Sequence, residues 1–329
     1  MAELNCFNQT TLPKIKFMKD TVLGLHHITA IASDAQRNYD FYTKVMGLRL
    51  VKKTVNFDDP GTYHFYFGDE VGTPGTILTF FPWEHIKKGY PGTGMATEIA
   101  FAIPAGSLGF WKDRFERKRV KHGDYEERFG ERFLSFEDPD GLILSLVEPA
   151  IEDKRQPWVS DDITADIATR GFHAVTLSLK SIQLTSEILT DILGYKIIAQ
   201  DGHRYRFATD AVNCASIVDL VADPDGKPGS VMGGTNHHVA FRVKNEEVLM
   251  EYRKRVTEHG LNITPKIDRN YFYSLYFREP GGVLFELATD NPGFPVDEPV
   301  SELGTHLKLP PQYEPRRADI ERVLPRIIE

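Results

Sequence analysis

Three stretches of the chain open alike, alternating small or polar residues with apolar ones. They are Gly24-Leu-His-His-Ile-Thr-Ala-Ile, Gly171-Phe-His-Ala-Val-Thr-Leu-Ser and Thr235-Asn-His-His-Val-Ala-Phe-Arg. A fourth, Met95-Ala-Thr-Glu-Ile-Ala-Phe-Ala, follows the pattern more loosely. A period of two is the signature of a half-buried strand. Each start leads into a stretch with helical spacing, over 35–46, 106–119, 182–193 and 246–259. Two of these run into Gly47 and Gly194, where glycine can end a last helical turn. Segments rich in Val, Ile, Phe, Tyr and Thr follow. Three units then close on a turn and a last strand, at Pro74-Gly75, Pro139-Asp-Gly and Pro280-Gly-Gly. In the third unit the closing strand is predicted at Ala215-Ser-Ile-Val-Asp-Leu.

The repeating unit is therefore βαβββ, of roughly 50–60 residues, which is too small to bury a core alone. Units must pair on a shared sheet. The pattern predicts an α+β chain of four βαβββ modules paired into cupped mixed sheets. Its divisions are an N-terminal extension (1–20), a first domain of two modules (21–150), a polar, charged and proline-containing linker (151–168), a second domain of two modules (169–290) and a tail (291–329). The tail carries several prolines and a last amphipathic stretch over 317–328, expected to wrap the surface or form a dimer contact.

Charge and cysteine usage narrow the classes. The 329 residues carry a formal charge of −8 without a basic block, so the positive footprint of a nucleic-acid partner is missing. Two cysteines, Cys6 and Cys214, make no disulfide framework and no Cys-x-x-Cys site. The first residues lack the apolar core of a signal peptide and no apolar run is long enough to span a bilayer, so a cytoplasmic protein without membrane contact is expected.

From about Leu23 to Asp290 the four-fold pattern resembles the vicinal oxygen chelate superfamily, the fold of glyoxalases and extradiol dioxygenases. Several motifs are similar to its hydroquinone ring-cleaving branch. They include Leu25-His-His-Ile-Thr, the runs LRLVKKTVNFDD from Leu48 and YHFYFGDEVGTPGT from Tyr63, Arg170-Gly-Phe-His, Gly202-His-Arg-Tyr-Arg, and DRNYFYSLYFREPGG from Asp268. The resemblance implies that paired modules cup one divalent metal, with ligands on their first and last strands.

Alternation then sorts the candidates. In the fourth unit His237 shares a face with Val239, Phe241 and Val243, whereas His238 lies opposite with Ala240 and Arg242. The strongly apolar face should cover the helix, which leaves His238 in the cup. By repeat alignment His27 is its equivalent in the first unit. In the closing strand Val283, Phe285 and Leu287 form the apolar face and leave Glu286 opposite. A carboxylate in so apolar a strand needs a partner, and a metal would supply one. Aligning the units places Thr79 at the position of Glu286 in the first, Ser145 in the second and Asp219 in the third; Glu98 and Ala174 take the histidine positions in the second and third. The first and fourth units thus hold His27, His238 and Glu286. The other pair looks vacant.

Two imidazoles and one carboxylate suit a divalent first-row metal and leave positions free. The resemblance implies Fe(II), with Mn(II) as the other candidate, and a ring-cleaving dioxygenase whose partners are a small aromatic substrate and dioxygen. Glyoxalase-type isomerases generally use four protein ligands, and a threonine at the fourth place, Thr79, is weak. A metal-dependent isomerase or lyase and a non-catalytic quinone- or drug-binding protein are the alternative readings. The resemblance also implies that Tyr276 hydrogen-bonds the substrate hydroxyl and that Arg269 stabilises its anionic charge. It marks His26 and His237 for proton transfer or ligand orientation. Strict alternation, however, turns both away from the cup, so they can act only if the strand starts bend or if they orient their neighbours from behind. His64 is expected to be a packed or edge histidine rather than one that approaches the cup, Phe80, Phe81 and Trp83 to be core rather than the lining of an aromatic pocket, and His203, Arg204 and Arg206 to be strand surface. A homodimer is plausible on the exposed sheet edges.

Overall fold

The computed structural model describes residues 21–160 and 162–329, so the expected extension over 1–20, including Cys6, lies outside the described residues. The first module comprises strand β1 (Leu25–Ala32), helix α1 (Ala35–Asp40), β2 (Arg49–Asn56), β3 (Asp59–Gly68) and β4 (Ile77–Pro82). The second comprises β5 (Met95–Ala102), α2 (Leu108–Lys118), β6 (His122–Arg128), β7 (Glu131–Glu137) and β8 (Ile143–Glu148). The third runs through β9 (Phe172–Leu179), α3 (Gln183–Glu187), β10 (Lys196–Asp201), β11 (Arg204–Ala208) and β12 (Ile217–Ala222). The fourth runs through β13 (Thr235–Val243), α4 (Glu246–Glu258), a two-residue β14 (Ile267–Asp268), β15 (Phe272–Arg278) and β16 (Leu284–Pro292). The helical stretches of modules one and three are split, each α-helix passing into a π-turn at Phe41–Val45 and Ile188–Ile192. Gly47 and Gly194 follow these turns at φ 66° and 77°, a conformation glycine adopts without steric cost.

Two eight-stranded sheets result, in the orders β14-β15-β16-β13-β1-β4-β3-β2 and β10-β11-β12-β9-β5-β8-β7-β6. Each sheet takes one module from each half of the chain: the first pairs with the fourth, and the second with the third. The divisions 21–150 and 169–290 therefore mark repeats along the sequence, while both sheets are shared between them. In each sheet the two first strands meet antiparallel at the centre, β1 on β13 and β5 on β9, and each is flanked by its own module's closing strand in parallel.

One face of each sheet carries the helices. Ile28, Phe65, Phe80, Val239, Phe241, Phe285 and Leu287 lie fully buried in a core that runs under α2 and α4. The opposite face of the first sheet is the cup. The tail wraps over this sheet, as expected: Phe294 and Leu303 pack with Tyr66, Tyr271 and Phe272, and Ile320 and Leu324 join the larger core. Its helix, α5 (Arg317–Val323), is shorter than the amphipathic stretch predicted over 317–328. The fully buried Lys52 ammonium reaches Asp297 Oδ1 at 2.6 Å and also Glu298, which clips the tail to β2. Tyr313 donates to the Phe57 carbonyl at 2.7 Å, so the tail also holds the β2–β3 turn in place. None of the described helices is long and apolar enough to cross a membrane.

Candidate metal centre

The central strands depart from regular alternation at four equivalent places. Between β1 and β13, Leu25 pairs with Phe241 but His27 with Ala240, so His26 is an extra residue on β1. Thr29 pairs with His238 but Ala30 with Asn236, so His237 is an extra residue on β13. The second sheet repeats this with Thr97 on β5 and His173 on β9. Each is a β-bulge, which re-aims a side chain and increases local twist. The bulges correct the expectation for His237, which lines the cup, whereas His26 turns from it into a separate cavity with Val71, Gly72 and Asp290. The rings of both His26 and His27 pack on Phe272, at 5.1 and 4.9 Å. His237 lines the cup beside Phe81, ring centres 6.0 Å apart.

His27, His238 and Glu286 come together as expected. Each is buried, and they form the one group of three or more possible ligands found among the described residues. Glu286 Oε2 lies 3.1 Å from His27 Nε2 and 2.9 Å from His238 Nε2, and the two Nε2 atoms are 3.4 Å apart. This wholly buried oxygen faces the two imidazole nitrogens. Its other oxygen accepts from the Ser274 hydroxyl. Burial alone would raise the Glu286 carboxyl; the two imidazoles together overturn that and hold it well below the usual range.

A hydrogen bond to a carbonyl fixes the roles of the His26 nitrogens and, through them, of His27 Nδ1. His26 Nε2 is 3.1 Å from the Thr289 carbonyl, which can only accept, so this nitrogen carries the proton. Burial, helped by His27, holds the His26 ring well below its usual pKa, hence neutral, and leaves its Nδ1 as an acceptor. His27 Nδ1, 2.9 Å away, must then be the donor, which leaves His27 Nε2 as the nitrogen that meets Glu286. The pair His237–His238 repeats the contact, Nδ1 to Nδ1 at 2.8 Å. Burial, with His238 beside it, pushes His237 down to about 3. A buried carboxylate oxygen facing two imidazole nitrogens, each with a second histidine at its back, fits a divalent cation.

The cup opens into a cavity of about 430 Å³. Tyr276 stands opposite Glu286 in register on β15, with its ring 5.6 Å from that of His238. Burial and the Glu286 charge raise this phenol despite the Arg269 guanidinium, 5.4 Å from its ring, so Tyr276 stays protonated. Arg269 also reaches Asp58 at 3.5 Å, across the cavity mouth. His64, Phe81 and Trp83 line the same cavity, whereas Phe80 lies in the core as expected. His64 is thus more than a packed histidine. The sequence signal for it is its place on β3, where Phe65 and Phe67 take the core face and leave His64 and Tyr66 for the other.

Registers confirm the repeat alignment residue by residue. Thr29 pairs with Thr79 as Ala240 pairs with Glu286, Thr176 with Asp219 and Ala100 with Ser145. The second cup, though, is filled rather than vacant. Arg206 binds Asp219 through two nitrogens at 2.9 and 3.1 Å and Glu131 at 2.6 Å. Arg204 reaches Asp219 at 3.2 Å, and Arg128 reaches both oxygens of Glu98 at 3.1 Å. His173 joins Glu131 at 2.9 Å, and Phe129 covers the Arg206 guanidinium at 4.3 Å. Arg204 and Arg206 are therefore not strand surface; three guanidiniums stand where the first cup has its ligands, while His203 is exposed as expected.

Glu131 links this network to pH. Burial would raise its carboxyl, but His173 and Arg206 bring it down to about 2 from the ordinary 4.5. Since the folded value is the lower one, the stabilisation is complete above about pH 4.5 and is lost as pH falls toward about 2. Glu131→Gln should flatten the acid limb of stability in that window, read from urea midpoints at stepped pH; an unchanged limb would refute the assignment.

The chain resembles known proteins over most of its length. A family profile described as the glyoxalase/bleomycin resistance protein/dioxygenase superfamily matches residues 24–146 and 171–287. MhqO of Bacillus subtilis (strain 168), a candidate ring-cleaving dioxygenase, is 44% identical over 309 residues, which are 93% of this chain and 97% of MhqO. A chlorohydroquinone/hydroquinone 1,2-dioxygenase of Sphingobium indicum is 35% identical over 93% of this chain and 97% of its own. A crystal structure of a candidate dioxygenase from B. subtilis superposes with a TM-score of 0.90 at 42% identity, covering 94% of this chain and 98% of that one. Glyoxalase I of Zea mays shares the fold alone, with a TM-score of 0.61 at 16% identity over 81% of this chain and 92% of its own. Matched in both halves, and aligned with relatives over nine-tenths of its length, the chain belongs to the glyoxalase/bleomycin resistance protein/dioxygenase superfamily.

Proposed function

We infer that the protein is an Fe(II)-dependent extradiol-type dioxygenase that opens the ring of hydroquinone or catechol-like aromatics with dioxygen. Mn(II) shares the ligand preference. The observation that carries this reading is the ligand count. His27, His238 and Glu286 converge, while the fourth equivalent place holds Thr79, whose hydroxyl is already engaged by Thr29 and His64 at 2.8 Å each. A three-ligand site leaves room beside the metal for two small molecules. When bound, a divalent iron supplies the one-electron chemistry that lets dioxygen react with an aromatic ring.

The chain's own residues handle binding and protons. Tyr276, held neutral, donates to a ring oxygen, and Arg269 favours that oxygen as an anion. His238 needs a bare Nε2 for the metal, so its Nδ1–H donates to His237, whose remaining proton sits on the Nε2 facing the cavity. His237 then meets substrate as a donor. His26 spends the same proton on the Thr289 carbonyl, 3.1 Å away, and acts by orienting His27. Phe81, Trp83 and Phe272 give the aromatic ring apolar walls.

The test is oxygen-free reconstitution with Fe(II), Mn(II), Zn(II) or Ni(II), followed by oxygen uptake with hydroquinone and catechol. Uptake with iron or manganese only is expected. Turnover of a hemithioacetal without oxygen would instead support a glyoxalase-type isomerase and overturn the reading.

A further inference from the structure

The wall of the cavity formed by the first module carries a row of polar groups that metal binding does not use. Thr29 and Thr79 hydroxyls are 2.8 Å apart, Thr79 Oγ1 is 2.8 Å from His64 Nε2, and His64 Nδ1 is 2.9 Å from the Tyr66 hydroxyl. The His64 ring is held between Tyr66 and Phe81, with ring centres at 4.1 and 4.3 Å. Both His64 and Tyr66 line the cavity that holds Tyr276 and Arg269. Tyr66 is 2% exposed, so its hydroxyl has little solvent to satisfy it.

We propose that Tyr66, oriented by His64, receives the second ring oxygen of the substrate, the one that does not meet the metal, and so selects diols over monophenols. This rests on the dioxygenase reading given above. The chemistry follows from the row. Burial, with His27 and His238 nearby, holds His64 neutral, so one ring nitrogen donates and the other accepts. If Tyr66 donates to Nδ1, its lone pairs accept from a substrate hydroxyl, and Nε2–H donates to Thr79. If the row runs the other way, from Thr29 through Thr79, Nδ1–H donates to Tyr66, which then donates to a substrate oxygen lacking a proton. Either polarity keeps all four groups neutral and each hydrogen bond made. A site built to hydrogen-bond a substrate hydroxyl discriminates against the analogue without it, because its own buried polar group is then left unpaired. Tyr66 is thus a binding residue and His64 a positioning residue.

The experiment titrates the metal-loaded protein without oxygen, using hydroquinone and phenol, for the wild type, Tyr66→Phe, His64→Phe and His64→Gln. Tyr66→Phe should weaken hydroquinone binding about tenfold, the worth of one buried hydrogen bond, and leave phenol within about twofold. His64→Phe should follow it, whereas the amide of His64→Gln should restore part of the preference. Equal weakening toward both compounds, or none toward hydroquinone, overturns the assignment. A wild type that binds neither compound overturns the dioxygenase reading as well. A wild type that cleaves hydroquinone while Tyr66→Phe keeps its preference overturns this inference alone.

Discussion

Glu286→Gln is expected to strip the metal from the protein and to lower oxygen uptake by on the order of 100-fold or more. Glutamine keeps the size of the side chain and can still accept from Ser274, so the fold has little reason to change. What it removes is the negative charge between two imidazole nitrogens, at 3.1 and 2.9 Å. The amide also places a donor or a weak neutral acceptor where a cation needs an anionic oxygen. Metal content after gel filtration, measured by elemental analysis beside a thermal melt, checks this. A variant that melts normally, retains its metal and consumes oxygen would refute the ligand assignment.

Arg206→Ala should do the reverse, costing about 3 kcal/mol of stability and leaving metal content unchanged. The side chain is nearly buried and satisfies two carboxylates, Asp219 and Glu131, that are themselves buried. Removing one member of such a pair leaves a charge without compensation, which is the expensive case. Arg204 at 3.2 Å from Asp219 and His173 at 2.9 Å from Glu131 soften the loss, which sets the estimate at the lower end of the usual range. Urea unfolding of the variant, with iron titrated in parallel, separates the two cups. A stable variant, or one that loses metal in proportion to stability, would contradict their independence.

Much of the candidate metal centre was legible in the chain because side-chain direction in a strand follows a rule with period two. His27, His238 and Glu286 follow from that rule together with the four-fold repeat, and the registers place Thr79, Ser145 and Asp219 where the alignment did. The rule fails at a bulge, which leaves no mark in composition, and so it misdirected His237. The charged network of the second cup was hidden for another reason. Arg204, Arg206 and Glu131 look like solvated charges singly, and only the sheet brings their two strands, β11 and β7, together. His64 was undervalued in the same way, since its worth lies in what Thr79 and Tyr66 hold it against. The π-turns after α1 and α3 likewise break a helical spacing that reads as continuous.

The sharing of both sheets between the halves has a consequence for how the protein can be cut. His27 and His238 are 211 positions apart, so a ribosome must release nearly the whole chain before the ligand set exists. A protease acting on the connector over 151–168, by contrast, severs one covalent link and no strand pairing within the modules. The two pieces would stay clasped through β1 on β13 and β5 on β9, and the nicked protein would keep His27, His238 and Glu286 together. Divided there, neither piece holds the cluster: His27 lies on one, and His238 and Glu286 lie on the other.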